Sequence, residues 1–304
     1  MKKLLTAALL LTASVGSLFG AKEARILIIT DKDTFTGWMM DSNKSKFLWR
    51  ETQQTLVNRE QSLRTCTVYF LQAPEFTEAL ELYKSRNYKS AALKFAVCAE
   101  EYNKLTEVKG NPSAMASFYE MECYRRLEDL EKLSELAGKF EPENLLYKFQ
   151  KVQYEMYGVF WDAVRTKSWS RLDAICRDEK WRGRKLPGNL RGQIAYCHGL
   201  ALEGAGQPVK ALNAYNNAFV ADFASSEEIT RKSAVNCLRI ILDHKDVKTA
   251  MELYSSEDYS DDSNGAALIK EATALLKLWD KVLGSGEKVP AKYKVFLKYP
   301  PKNK

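Results

Sequence analysis

The sequence predicts an all-α fold: an α-solenoid of about five helical hairpins, preceded by a small β-containing segment and closed by a capping helix. Three observations support this prediction. Apolar residues recur three and four positions apart over much of the chain, which is the spacing of one helix face. Turn signals divide these helical runs into pairs. An apolar anchor residue also recurs at a nearly constant interval, as expected for a repeat protein.

The clearest hairpin covers residues 195–218 (AYCHGLALEGAGQPVKALNAYNNA), where two helical runs flank a turn signal at residues 205–208. A single hairpin cannot bury its apolar face, so neighbouring copies are expected. Steps of 39 residues, after a first step of 42, connect five apolar anchors in register, which are Ala91, Leu133, Leu172, Ala211 and Ala250. The sequence therefore predicts five similar hairpins.

Gly199, Ala211, Tyr215 and Ala218 stand at the spacing of the small and aromatic positions of a tetratricopeptide repeat, and the chain resembles that family in this stretch. The resemblance implies a right-handed solenoid in which the first helices of successive hairpins line a concave groove for a peptide or a partner helix. The family repeat is about 34 residues long. Each unit of this chain is therefore expected to carry a longer helix or loop.

Residues 1–21 resemble a secretory signal peptide: two lysines, an apolar run over residues 4–15, and then small residues at which a signal peptidase could cut. Phe19 is unfavourable three residues before a cut after Ala21, so the cut is placed only between Ser17 and Ala21. A retained anchor is the alternative. Export to the bacterial periplasm or cell surface follows from the signal. No later segment approaches the roughly 18 apolar residues of a membrane span, so none is expected after signal removal.

Residues 22–72 are predicted to form a β-containing arm or cap. Residues 25–30 (RILIIT) and 65–71 (TCTVYFL) have the composition of strands. Thr36 and Gly37 suggest a turn between them, and residues 43–64 are compatible with either a helix or an extended arm. No glycine-rich loop follows the first strand, so the segment is not built to bind a nucleotide phosphate. A cap on the first helix of the array is the expected role.

Residues 73–283 are predicted to be the helical repeat domain, ending in a closing helix, and residues 284–304 a basic tail. The formal net charge is +7, of which Lys2 and Lys3 contribute +2 and the tail contributes +5. The remainder is neutral, which argues against a nucleic-acid-binding face. The tail is interpreted as a solvated end or as a segment that contacts an acidic partner or surface.

No catalytic residues are predicted, and neither a metal nor a cofactor is expected. The sequence contains two histidines and none of the spacings typical of metal sites or activated nucleophiles. His198 is adjacent to Cys197, and neighbours on a helix point in different directions, so these two do not form a nucleophile pair. His198 is expected to be a buried, hydrogen-bonded side chain. The protein is therefore predicted not to be an enzyme.

Six cysteines in an exported chain raise the possibility of disulfides. Cys98 and Cys123 lie on helices expected to be adjacent, and so do Cys176 and Cys197. Each pair is a candidate disulfide. The alternative is that these thiols pack as small hydrophobic side chains.

The tetratricopeptide resemblance places the partner-binding positions on the exposed face of the first helices. The groove residues implied in this way are Tyr83, Lys84, Arg125, Arg126, Tyr157, Trp161, Arg165, Tyr196 and Glu203. Arginine and large aromatic residues are enriched at binding hot spots. The alternative for some of the aromatic residues, Tyr157 among them, is packing between neighbouring helices.

The predicted function is an exported, non-catalytic scaffold or adaptor that binds a protein or peptide partner in an envelope or surface assembly. The alternative is a glycan-binding protein, because flat aromatic rings stack on sugars. The rings considered for that role are Tyr154, Tyr157, Trp161, Trp169 and Trp181.

Overall fold

The computed structural model describes residues 21–222, 227–283 and 288–302. The chain divides into two compact units. The first consists of residues 21–123 and 141–146, and the second of residues 124–140 and the described residues from 147 onward. The predicted signal at residues 1–21 lies outside the described residues, apart from Ala21.

The first unit contains a five-stranded, fully antiparallel sheet in the order β4-β3-β2-β1-β5. The strands are β1 Ala24–Thr30, β2 Thr34–Ser42, β3 Lys46–Arg50, β4 Arg59–Ser62 and β5 Cys66–Phe70. Alternate residues of the three central strands point to one face, as period-two side chains must. The buried residues on these strands include Ile26, Ile28, Met39, Phe47 and Trp49.

The sheet corrects the prediction that the fold is all-α. The strands expected at residues 25–30 and 65–71 are present as β1 and β5, but three more strands lie between them. The turn expected at Thr36 and Gly37 is wrong, because both residues lie inside β2. Gly37 permits a close approach there, since a Cβ atom at this position would lie 2.5 Å from Cε3 of Trp49.

The rest of the described chain is mainly helical. The α-helices are α1 Pro74–Lys84, α2 Tyr88–Glu101, α3 Pro112–Leu127, α4 Leu130–Ala137, α5 Lys148–Met156, α6 Asp162–Arg165, α7 Trp169–Arg177, α8 Glu179–Arg182, α9 Gly188–Gly204, α10 Pro208–Asp222, α11 Glu227–Asp243, α12 Lys245–Leu253 and α13 Asn264–Leu278. A π-helical turn, Tyr157–Trp161, joins α5 to α6. The five predicted anchors lie on α2, α4, α7, α10 and α12, and all are buried.

Four of the helix-to-helix turns have the same geometry. Each contains one residue in the left-handed conformation, five positions before the buried anchor of the following helix. These residues are Arg86, Glu128, Lys167 and Gly206, with φ of 66°, 59°, 51° and 73°. In each turn, the residue after the left-handed one donates its amide to the carbonyl oxygen five positions before it. Examples are Asn87 N to Leu82 O (2.9 Å) and Gln207 N to Leu202 O (2.8 Å). This is the Schellman motif, which ends a helix.

The left-handed position of this turn is occupied by glycine in one copy and by lysine in another, and opposite effects on stability are expected when these two residues are substituted. Gly206→Ala should lower the free energy of unfolding by about 1–2 kcal/mol, because a Cβ atom disfavours the left-handed conformation. The space around Gly206 is open within 4 Å, so no clash contributes. Lys167→Gly should raise the free energy of unfolding by about 0.5–1 kcal/mol. Glycine removes the strain of the left-handed conformation, and this gain exceeds the extra entropy that the unfolded chain acquires from a glycine. Urea denaturation measures both values, and changes of the same sign would contradict the interpretation.

The all-α solenoid is wrong as the fold class. The sheet occupies the start of the described chain, and the helices divide between two compact units. Residues 291–298 form a 3₁₀ helix in which Tyr293 and Phe296 are buried, so this part of the predicted tail is not a solvated end. Among the described residues, no helix combines the length and the hydrophobicity needed to cross a membrane.

Candidate functional site

Most of the predicted groove residues of the second unit are buried. Arg125 and Trp161 are each 1% exposed, and Tyr157 and Tyr196 are almost as inaccessible. Burial of an arginine has a large desolvation cost unless it is paired, so the surroundings of Arg125 are informative.

Arg125 and Arg126, at the end of α3, pair with Glu228 on α11. The Nη2 atom of Arg125 lies 3.3 Å from Oε2 of Glu228, and Nη1 of Arg126 lies 3.2 Å from the same oxygen. Lys232 bridges Oε1 of Glu228 (3.0 Å) and Oε1 of Glu128 (2.9 Å). We call these five residues the Glu228 cluster. Burial opposes ionisation of Glu228, but Arg125, Lys232 and Arg126 outweigh it and lower the pKa of this carboxyl below its ordinary 4.5.

The Glu228 cluster continues into a buried aromatic and amide layer. The guanidinium of Arg125 lies 5.4 Å from the ring centroid of Trp161, within cation–π range. The indole Nε1 of Trp161 donates to Oε1 of Gln193 at 3.0 Å. Gln193 and Gln153 exchange amide hydrogen bonds of 2.7 and 3.1 Å. Trp161 is therefore fixed from both ends inside the unit.

Tyr196 and Glu203 belong to the interface between α9 and its neighbours. The ring of Tyr196 lies 5.7 Å from that of Tyr215. The hydroxyl of Tyr215 donates to Oε2 of Glu203 at 2.7 Å, and Arg239 donates to the same oxygen at 2.7 Å. Burial and the hydrogen bond to Glu203 both raise the pKa of Tyr215 far above its usual value. Glu203 is therefore an internal acceptor.

The remaining predicted groove residues also have partners within their own units. Arg165 contacts Asp162 at 2.8 Å and Glu131 at 3.1 Å. Lys84 pairs with Glu81 one helical turn away. Tyr83, in the first unit, packs edge-on against Tyr119 at 5.3 Å. The structure thus brings Arg125, Arg126, Trp161 and Tyr196 together as an internal network.

The rings considered for sugar binding are not presented as an open platform. Tyr157, Trp161 and Trp181 are buried. Trp169 packs so closely on Gly204 that a Cβ atom at Gly204 would overlap its indole. Stacking on a sugar requires an accessible ring face, which Tyr157, Trp161 and Trp181 lack.

A different feature of the second unit has the character of a binding site. A pocket of about 260 Å³ opens beside Trp181, between the end of α7, the loop after α8 and the first turns of α9. Its apolar lining includes Trp181, Leu186 and Ile194, and its polar lining is Arg182, Arg184, Arg191 and His198. We call it the Trp181 pocket.

Trp181 is held in place by its neighbours. Phe160 meets it edge-on, with ring centroids 4.8 Å apart. The guanidinium of Arg184 lies over the indole, 4.7 Å from the ring centroid. Arg184 is itself anchored by Oε2 of Glu155 at 2.9 Å. The floor of the pocket is therefore pre-formed.

The Trp181 pocket carries excess positive charge. Arg184 shares Glu155 with Lys180, and His198 pairs with Asp173, which also receives Arg177. Arg182 and Arg191 are exposed, and neither has an ion pair with any residue that the structure describes. Two exposed guanidinium groups beside an apolar floor favour a carboxylate or a phosphate as ligand.

None of the six cysteines forms a disulfide in the structure, so the predicted pairs Cys98–Cys123 and Cys176–Cys197 are not formed. Burial raises the pKa of Cys98, Cys176 and Cys237 to about 12, which makes them poor nucleophiles. Over residues 21–222, 227–283 and 288–302, no group of three or more His, Cys, Asp or Glu side chains could hold a metal ion.

Sequence reasoning did not identify the Trp181 pocket, because its two exposed arginines lie outside the positions that repeat register marks. The available signal was the density of cations over residues 180–191 (KWRGRKLPGNLR) next to a tryptophan. Comparisons with models of protein families, with curated proteins and with solved structures gave no significant match.

Proposed function

We propose that this protein is an exported, non-catalytic adaptor that binds an acidic segment of a partner protein in an envelope or surface assembly, with one carboxylate held in the Trp181 pocket. The observation that carries the proposal is the pair Arg182 and Arg191, two exposed arginines that line the pocket and have no ion pair within the described chain.

The size of the pocket supports a side chain as the ligand. At about 260 Å³, it lies below the roughly 300–1,000 Å³ that is typical of small-molecule sites. A glutamate side chain or a chain terminus can place its carboxylate between the guanidinium groups. Its methylene groups would then contact Leu186 and Ile194. Arginine binds carboxylates through two parallel hydrogen bonds, which adds geometric specificity.

The proposal is tested with a fluorescein-labelled hexaglutamate peptide and, as a comparison, hexaglutamine. Fluorescence anisotropy should show binding of hexaglutamate alone, weakening as salt is raised because the contact is exposed and ionic. Arg182→Glu combined with Arg191→Glu should weaken binding at least about tenfold, since a loss of 1.4 kcal/mol suffices for that change.

The matched control is Lys210→Glu combined with Lys248→Glu. These two exposed lysines lie on α10 and α12, so the control makes the same change in net charge away from the pocket. It should leave the affinity within about twofold, which corresponds to less than 0.5 kcal/mol. Equal weakening by both double variants would show that only net charge matters and would refute the pocket.

A further inference from the structure

A second cluster of charged side chains lies in the first unit and includes Lys22, one of the first described residues. Lys22 places its Nζ atom 2.6 Å from Oε1 of Glu75 and 3.0 Å from Oε1 of Glu101. Tyr102 donates its hydroxyl to Oε2 of Glu75 at 3.0 Å. The side chains of Lys22, Glu75 and Glu101 therefore bring together two carboxylates and one cation.

Glu101 is incompletely satisfied in this arrangement. It is 5% exposed, and its Oε2 atom is buried and accepts no hydrogen bond from any described residue. An unpaired buried carboxylate oxygen has a large desolvation cost. Glu101 also ends α2, whose last turn contains no basic residue, and the C-terminal end of a helix favours a cation. Both facts point to a missing positive group.

The missing cation can come from the chain itself. The backbone nitrogen of Lys22 already donates to the carbonyl oxygen of Glu101 at 2.7 Å. While the preceding peptide bond is intact, this nitrogen is a neutral amide with one proton. Hydrolysis of that bond adds water, leaving a carboxylate on the released segment and an ammonium with three protons on the new first residue. The backbone nitrogens of Ala21 and Lys22 are one residue apart, at most about 3.6 Å, so a cut before either residue releases this charge near the carbonyl oxygen of Glu101.

We propose that Glu101 and Glu75 form the docking site for the α-ammonium group created when the signal segment is cut off after Gly20 or Ala21, so that the processed chain folds more stably than its precursor. This inference rests on the proposed export. It also gives the site a role in export, because a precursor without the ammonium group is less stable and more easily kept unfolded.

The first test is N-terminal sequencing of the protein recovered from the exported fraction. A first residue of Ala21 or Lys22 supports the proposal. Any other first residue overturns it, and retention of Met1 would overturn the proposed processing as well.

The second test needs no export. The chain beginning at Lys22, released from an N-terminal fusion by a protease that leaves no extra residue, is compared with the same chain after N-terminal acetylation. The free ammonium form should melt at least about 2 °C higher, the shift expected for a modest change in stability of a chain of this size. Glu101→Gln should abolish that difference, whereas Glu100→Gln, an exposed neighbour at the same helix end, should preserve it. Equal melting temperatures of the free and acetylated chains would overturn the docking site and leave the Trp181 pocket untouched.

Discussion

Glu228→Gln is expected to lower the free energy of unfolding by about 3–5 kcal/mol, the range measured when one member of a buried ion pair is removed. Glu228 is the carboxylate shared by Arg125, Arg126 and Lys232. Its loss leaves the charge of Arg125, which is 1% exposed, without that neutralising contact. Chemical denaturation measures the change, and Glu131→Gln is the control. The carboxylate of Glu131 is 79% exposed and pairs with Arg165, so the control should cost less than about 1 kcal/mol.

The same substitution predicts a dependence on pH. The pKa of Glu228 is lowered in the folded protein. Its contribution to the free energy of unfolding is therefore complete above the pKa of the unfolded chain, which is near 4.5. The contribution is lost as pH falls through the lower folded value. The stability difference between the wild type and Glu228→Gln should therefore shrink below about pH 4.5.

Equal costs for Glu228→Gln and Glu131→Gln at neutral pH would show that the cluster is not buried as described.

Gly199→Ala is expected to destabilise the protein by about 1–3 kcal/mol through overpacking, although alanine favours a helix by about 1 kcal/mol over glycine. A Cβ atom at Gly199 would overlap the ring of Tyr215. That ring cannot easily move, because it is buried and its hydroxyl is held by Glu203 at 2.7 Å. The cost follows from the close approach of α9 and α10.

Gly158→Ala is the matched control for this substitution. Gly158 is also helical, but a Cβ atom there would meet nothing within 4 Å. The control should stabilise the protein by up to about 1 kcal/mol. Thermal unfolding of the two variants should therefore shift in opposite directions. A stabilising Gly199→Ala would contradict the packing of Tyr215 against α9.

Local features of the helices could be predicted from the sequence. The anchors Ala91, Leu133, Leu172, Ala211 and Ala250 are buried on helices, because a 3.6-residue period marks the face that packs. The proximity of Gly199 and Tyr215, positions marked by the tetratricopeptide resemblance, is also found. The common turn geometry was not predicted, since only Gly206 among its four left-handed residues is a glycine. The fold class was wrong because local periodicity does not determine how helices are arranged at long range.

The sheet was missed where its strands lack a clear alternating pattern. β4 (REQS) is polar on both faces, and Gly37 in β2 has the appearance of a turn residue. Its actual role, making room for Trp49, depends on a neighbouring strand. A signal of this kind becomes visible only once the pairing of the strands is known.

The candidate site was missed for a related reason. Repeat register predicted that Arg125, Trp161 and Tyr196 lie on a groove, but periodicity cannot distinguish a groove face from a face buried by another helix. Glu228, which pairs with the buried Arg125, is 103 residues away in sequence. Arg182 lies on the short helix α8, and Arg191 in the first turn of α9. Their importance comes from the lack of acidic partners in the described structure rather than from their spacing.

Hydrogen–deuterium exchange of the protein with and without hexaglutamate tests the central claim most directly, because it compares the Trp181 pocket with the original groove prediction in one measurement. We expect slower exchange in residues 182–195 when the peptide is bound. Exchange should be unchanged in residues 76–84 and 118–128, which contain the predicted groove residues Tyr83, Lys84, Arg125 and Arg126. Protection of residues 76–84 and 118–128, with residues 182–195 unaffected, would contradict binding at the Trp181 pocket.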